Sequence, residues 1–333
     1  MYFLLGTSLM LALLLVLNLS VSTAASVLWR FIAPAANSWT ARRRARIIFA
    51  LRIFPCACAI VFVAAFLLPA YLLFEPQSSK EIVSAKLALL ALVSVVGVAV
   101  AACRVFATWW RTRRVVADWL ARAEPIAVAD VKIPVYRINH PFPVIAVIGT
   151  FRPRMFVAGQ IFASLDGEEF QAAIRHEIGH LAARDNFKRM LMRVSRDLLV
   201  FPFGRSLDRA WSENVESAAD EYAAQTGGKS AALNLASALV KIARIAPPNA
   251  KPAMPAGAFL IEAQTADVTG RVRNLLMLAE IKIVPEKYRR FRLENAFWIY
   301  ASGFFVFMMP LAASDTILHK IHFALEALVG VLQ

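Results

Sequence analysis

Residues 174–186 read IRHEIGHLAARDN, with His176 and His180 four apart and Glu177 beside the first. On a helix, that spacing brings both imidazoles to one face. Neutral ring nitrogens there can fill two corners of a zinc tetrahedron. Glu177, set slightly aside, can take a proton from an attacking water and hand it to a leaving amine. The alternative is an ordinary helix with two incidental histidines, and the rest of the chain decides between them.

The 333 residues are 59% hydrophobic and their mean hydropathy is +0.57, too apolar for an average soluble domain. Four runs carry no charged residue: Met1–Trp29, Ile53–Phe74, Leu87–Cys103 and Asn295–Ser314. About 20 apolar helical residues cross the hydrocarbon core. The third run reaches that length by continuing past Arg104 to Trp109 and Trp110, which read as interfacial anchors. Four spans are therefore predicted, at 1–29, 53–74, 87–110 and 294–314. No positive charge precedes the first run, so it reads as a retained span with an outward N-terminus and not as a cleaved signal peptide.

The net charge of +14 invites a nucleic-acid reading, but its distribution argues against one. Of the 37 basic residues, 34 fall in 30–52, at Arg104 or in 111–293. Segments 75–86 and 315–333 hold only Lys80, Lys86 and Lys320. This asymmetry follows the positive-inside rule. It puts a basic loop (30–52) and a domain (111–293) in the cytoplasm, both termini outside, and predicts no direct nucleic-acid partner. Cys56, Cys58 and Cys103 lie in predicted spans, where they read as small apolar residues and make no disulfide framework.

Within 111–293, a helix leaves the membrane over 111–125. Three β-rich runs follow, VKIPVYRI, PVIAVIG and RMFVAG, divided by Pro and Gly. Asp166 and Glu169 form a capping box for a helix that runs through the opening motif. Residues 187–203 are amphipathic and break at Pro202, fitting a helix on the membrane surface or under the histidine helix. Another helix covers about 206–226. A Pro-rich loop at 246–257 then precedes RVRNLLMLAEIKI at 271–283. The strand around Arg154–Ala158 is expected beside the histidine helix, pairing with an extended substrate backbone.

A catalytic zinc needs a third protein ligand. In SENVESAADEYAA (212–224), Glu216 and Asp220 lie one turn apart, and small Ala218 and Ala219 allow close helix approach. Glu216 is the candidate ligand. Asp220 would accept the free ring N–H of a ligating histidine. Glu213 competes as ligand but lacks an aspartate four residues on. The bland alternative is a solvated acidic face.

RHEIGHLAARDN and VESAADEYA, with FRPRMFVAGQIF ahead of them, resemble the BlaR/MecR-type membrane metallopeptidases over roughly residues 105–290. The resemblance implies antirepressor signalling and a cytoplasmic gluzincin-like α+β zincin domain between the last two spans. It puts zinc on His176, His180 and Glu216, catalysis on Glu177 and a structural role on Asp185. Implied partners are a protein substrate (a transcriptional repressor among the candidates), the lipid bilayer, and a separate sensor subunit or a second copy of the chain. The implied location is the bacterial inner membrane, with the active site facing the cytoplasm. The departure from that family is at the end. Residues 315–333 suit a short outer amphipathic helix carrying His319 and His322, too short for a large β-lactam-binding domain. The expected fold is a polytopic α-helical membrane protein of four spans with a cytoplasmic α+β zinc metalloprotease domain. A quality-control or CAAX-type membrane protease, or a catalytically silent signalling scaffold, are the alternatives.

Overall fold

The computed structural model of the chain describes residues 2–76, 83–197, 205–247, 268–280 and 310–332. Among these, three helices are long and apolar enough to cross a membrane. The first is α1 (Tyr2–Ala36). The second is α2 (Ala41–Phe62), which continues through a π-helical turn, Val63–Leu67, into α3 (Leu68–Phe74). The third is α4 (Ala85–Leu120). The expected fourth span, 294–314, lies almost wholly outside the described residues.

Helices α1 and α4 have 35 and 36 residues, so each runs to about 50 Å against roughly 30 Å of hydrocarbon. Their surplus length carries them out of the membrane toward the domain. The stretch 30–52, expected as a loop, is therefore helical except for a turn at 37–40. Nothing in its arginines breaks a helix, and Thr40 starts α2 by accepting a hydrogen bond from the Arg43 amide.

The domain holds a four-stranded sheet in the order β1-β2-β4-β3, formed by β1 (Glu124–Ile126), β2 (Val135–Ile138), β3 (Ile145–Ile148) and β4 (Arg154–Ala158). Strand β4 runs parallel to β2 and antiparallel to β3. The three β-rich runs thus become β2, β3 and β4. Strand β1 was not expected, because EPI is short and carries a proline, which only an edge strand tolerates. The larger correction concerns β4. It is interior, hydrogen-bonded on both sides, and has no backbone left for a substrate. The edge strand beside the histidine helix is β3.

Helices α5 (Gly159–Ser164), α6 (Gly167–Ala183) and α7 (Asp185–Asp197) follow. Next come α8 (Arg205–Ile245), broken at Gly228 where φ is 78°, and α9 (Val268–Glu280). The core lies between the sheet and helices α6, α8 and α9, around Ile145, Met155, Phe156, Ile174, Leu239 and Leu275. The final helix, α10 (Asp315–Leu332), is amphipathic as expected. It lays Leu325 and Val329 on Leu5, Leu9, Leu67 and Tyr71, at the N-terminal end of α1.

Helix α2 is joined to the domain directly. Its Ala45 and Ile48 pack with Met192 of α7 and with Leu207, Trp211 and Val215 of α8. Buried Arg52 donates to Asp208 Oδ1 (2.9 Å) and to Ser195 Oγ (3.1 Å). The Ala41 amide, at the start of α2, donates to Glu221 Oε1 on α8 (3.0 Å). Helix α7 is thus packed against α2, α4 and α6. Asp208 is 22% exposed, so losing its charged hydrogen bond from Arg52 costs about 1.5–3 kcal/mol. Arg52→Ala should therefore destabilise the detergent-solubilised protein by that order in denaturant titration. Asp208→Ala in the same background should add little. Full additivity of the two losses would show that the pair does not couple α2 to α8.

Candidate metal centre

Helix α6 begins with the expected capping box: Asp166 Oδ1 accepts from the Glu169 amide (2.9 Å) and Glu169 Oε2 from the Asp166 amide (3.0 Å). Glu169 is also bonded by Ser237 and Lys241 of α8, each at 2.6 Å, so the cap fixes α6 against its neighbour. The two helices cross where Gly179 meets Ala219. A β-carbon on Gly179 would stand 3.3 Å from the Ala219 Cα and 3.2 Å from the Tyr222 ring. That approach brings Glu216 to the histidines.

His176 Nε2 and His180 Nε2 lie 3.2 Å apart, and each is 3.6 Å from a Glu216 carboxylate oxygen. Tetrahedral zinc with bonds of about 2.0–2.1 Å holds its donors about 3.3 Å apart. The three side chains therefore fit a zinc ion on spacing as well as on chemistry. Glu213, the competing ligand, is exposed and does not join the clustered donors. Another trio, Glu75, His322 and Glu326, also gathers its donor atoms within 4.8 Å, but His322 and Glu326 form an ordinary i,i+4 pair with Glu326 55% exposed.

Each histidine is oriented by its other nitrogen. His176 Nδ1 is 2.9 Å from Asp220 Oδ1, as the one-turn spacing of Glu216 and Asp220 suggested. His180 Nδ1 is 3.0 Å from Asp185 Oδ2, a more specific role for Asp185 than the sequence supplied. Arg184 ends α6 in the left-handed region (φ 55°). This turn redirects the chain and sets Asp185 back beside His180.

Arg271 of α9 was missed altogether. It is 7% exposed and forks onto Asp220 (2.7 and 2.9 Å) while its Nη1 lies 3.2 Å from Glu216 Oε2. Its only sequence signal is an arginine opening an amphipathic segment after the Pro-rich loop. Asn186 was also unassigned. Its amide donates to the Val147 and Gly149 carbonyls (3.0 and 3.2 Å), pinning the end of β3 to the start of α7.

Glu177 is fully buried. Its Oε2 accepts from the Val147 amide (3.1 Å), while Oε1 is buried with no hydrogen-bond partner among the described residues. Burial pushes its carboxyl pKa up, against the pull of His180 and His176. Burial would also raise Glu216, but His180, His176 and Arg271 hold it down to about 2. Asp220 is held low in the same way, chiefly by Arg271. Burial pulls His176 down, but the Asp220 and Glu216 carboxylates outweigh it and raise the imidazole to about 9.

Residues 135–214 match the family model of Peptidase family M48. That segment runs from β2 into α8. It contains His176, Glu177 and His180 and ends two residues before Glu216. No curated protein and no solved structure matches the chain. The match supports a membrane-type zinc metallopeptidase, and the His176, His180 and Glu216 cluster is compatible with it.

The protonation of His176 gives the site a pH signature. Its folded pKa is raised above the ordinary 6.5 to about 9. In metal-free protein its stabilising contribution is therefore complete below pH 6.5 and lost as pH rises through about 9. A metal must displace that proton, so its apparent affinity should rise by up to about tenfold per pH unit across the same window. Metal-free protein should accordingly melt lower at pH 9 than at pH 6.5, while zinc competition against a chelating dye strengthens. A flat zinc affinity from pH 6.5 to 9 would contradict a proton held on His176.

Proposed function

We propose that the protein is an integral membrane zinc metalloendopeptidase that cleaves a cytoplasmic or membrane-adjacent protein. The observation that carries this reading is the convergence of His176, His180 and Glu216 at 3.2–3.6 Å beside the buried carboxylate of Glu177. Zinc bound there would polarise a substrate carbonyl and lower the pKa of a water.

The chain's own residues supply the rest. Glu177 is the general base, and its raised pKa suits a carboxylate that must first take a proton and then give it up. The Val147 amide holds one of its oxygens, leaving the other for the proton. Strand β3 is the peptide-binding edge in place of β4. In its antiparallel register with β4, the Val147 backbone faces away from the sheet, as its bonds to Glu177 and Asn186 show. Ile145, two residues earlier on the same side, has the matching orientation for an extended substrate. Asp220 and Asp185 hold the two imidazoles in the tautomer that leaves Nε2 free to ligate, and Arg271 keeps Asp220 and Glu216 ionised.

The regulatory role, antirepressor-like signalling with a repressor as substrate, rests on the BlaR/MecR resemblance. The match to Peptidase family M48 carries peptidase chemistry without a regulatory role, so a membrane quality-control or CAAX-type protease shares the site equally well. The buried, hydrogen-bonded Glu177 favours either protease over a silent scaffold. The basic asymmetry supports a cytoplasmic active site. A reporter active only in the cytoplasm should work when fused after Ala250 and be silent after Gln333, and the reverse pattern would overturn that orientation.

Glu177→Gln keeps the side-chain shape and removes the base. Zinc content and membrane insertion should stay near wild type, while substrate loss should slow by at least 10²–10⁴. Unchanged proteolysis in a zinc-loaded Glu177→Gln sample would mean that Glu177 is not the base.

A further inference from the structure

A cleft of about 1680 Å³ opens between α4, the β3–β4 turn and α7, beside the metal centre but not lined by its ligands. Its walls change character along α4. At Val98, Val105 and Phe106 the wall is the exposed apolar face of the third candidate span. Past Trp109 it is lined by seven arginines, with no aspartate or glutamate among the described lining residues, although Arg196 reaches out of the cleft to Asp208 (3.7 Å). Arg113 stacks on the Trp109 ring (4.8 Å), a contact that keeps guanidinium at interfacial depth. On the opposite rim, the β3–β4 turn presents Phe151, 83% exposed, next to Arg152 and Arg154. A bare aromatic flanked by arginines is what a membrane-dipping turn needs.

We propose that this cleft binds the phosphate headgroup of an anionic phospholipid, its acyl chains lying along the apolar wall of α4. The charge argument rests on Arg111, Arg113, Arg152, Arg154 and Arg193: like charges lining a partly apolar cleft repel until an anion neutralises them. Phosphate is the anion whose oxygens match the guanidinium fork. The apolar wall at the depth of the span selects an amphipathic ligand over a soluble acidic peptide. The bilayer supplies such a ligand at that position without any further partner. The cleft also reaches Gly149 and Asn186, so a seated headgroup would touch the residues that pin the β3 edge.

The test uses the full chain in mild detergent, offered equimolar phosphatidylglycerol and phosphatidylcholine and read by native mass spectrometry. Wild type should retain phosphatidylglycerol in clear preference. Each basic residue facing an anionic headgroup is worth about fivefold. Replacing Arg111, Arg152 and Arg193 with Gln should thus cut the preference by on the order of a hundredfold. Replacing Arg30, Arg42 and Arg43, outside the cleft, removes the same charge and should leave it intact. Glu177→Gln should also keep it, whatever becomes of peptidase activity, so this test and the protease reading fail separately. Absence of preference in wild type, which needs no variant to fold, would overturn the proposal. So would equal losses in the two triple variants, which would mean bulk charge alone, or displacement of the lipid by an acidic peptide or by free glycerol phosphate.

Discussion

The close crossing of α6 and α8 at Gly179 and Ala219 is the constraint on which the site depends. A β-carbon at position 179 would meet the Ala219 Cα and Tyr222 at 3.2–3.3 Å, so any larger residue would press the two helices apart there. From that crossing, Glu216 reaches both Nε2 atoms and Asp220 reaches the back of His176. A displacement of one ångström between the helices would separate a carboxylate from its imidazole. The capping box at Asp166 and Glu169, bonded onward to Ser237 and Lys241, holds the same pair of helices at a second point.

Charge balance explains why the site can exist inside a core. Glu177, Asp185, Glu216 and Asp220 are all buried within one small volume. Burying so many acids without compensation would be prohibitive. Arg271 offsets part of that charge through its fork on Asp220 and its contact with Glu216, and a divalent cation would offset most of the remainder. Without metal, a proton on His176 does part of this work, and for that reason the imidazole is raised and not lowered by burial. Metal binding and folding are thus coupled through the same few groups.

Much of this was legible from spacing. The four-residue interval of His176 and His180, and of Glu216 and Asp220, encodes helix faces, and helix faces survive tertiary packing. The capping box was readable for the same reason. What pattern could not supply was the order of the strands: RMFVAG is as strand-like as PVIAVIG, and only pairing decides which is the edge. Arg271 was invisible because it lies far from the motif along the chain and reaches it through tertiary packing alone. The basic stretch 30–52 reads as loop because charge marks the membrane boundary, yet charge does not end a helix. Its Arg52 turned out to be a buried strut between a span and the domain.

The central claim is that His176, His180 and Glu216 together hold one zinc ion. Metal analysis of purified wild type, Glu213→Ala and Glu216→Ala tests it most directly. About one zinc per chain is expected in wild type and in Glu213→Ala, with most of it lost from Glu216→Ala after mild dialysis. Full zinc retention in Glu216→Ala would contradict the account.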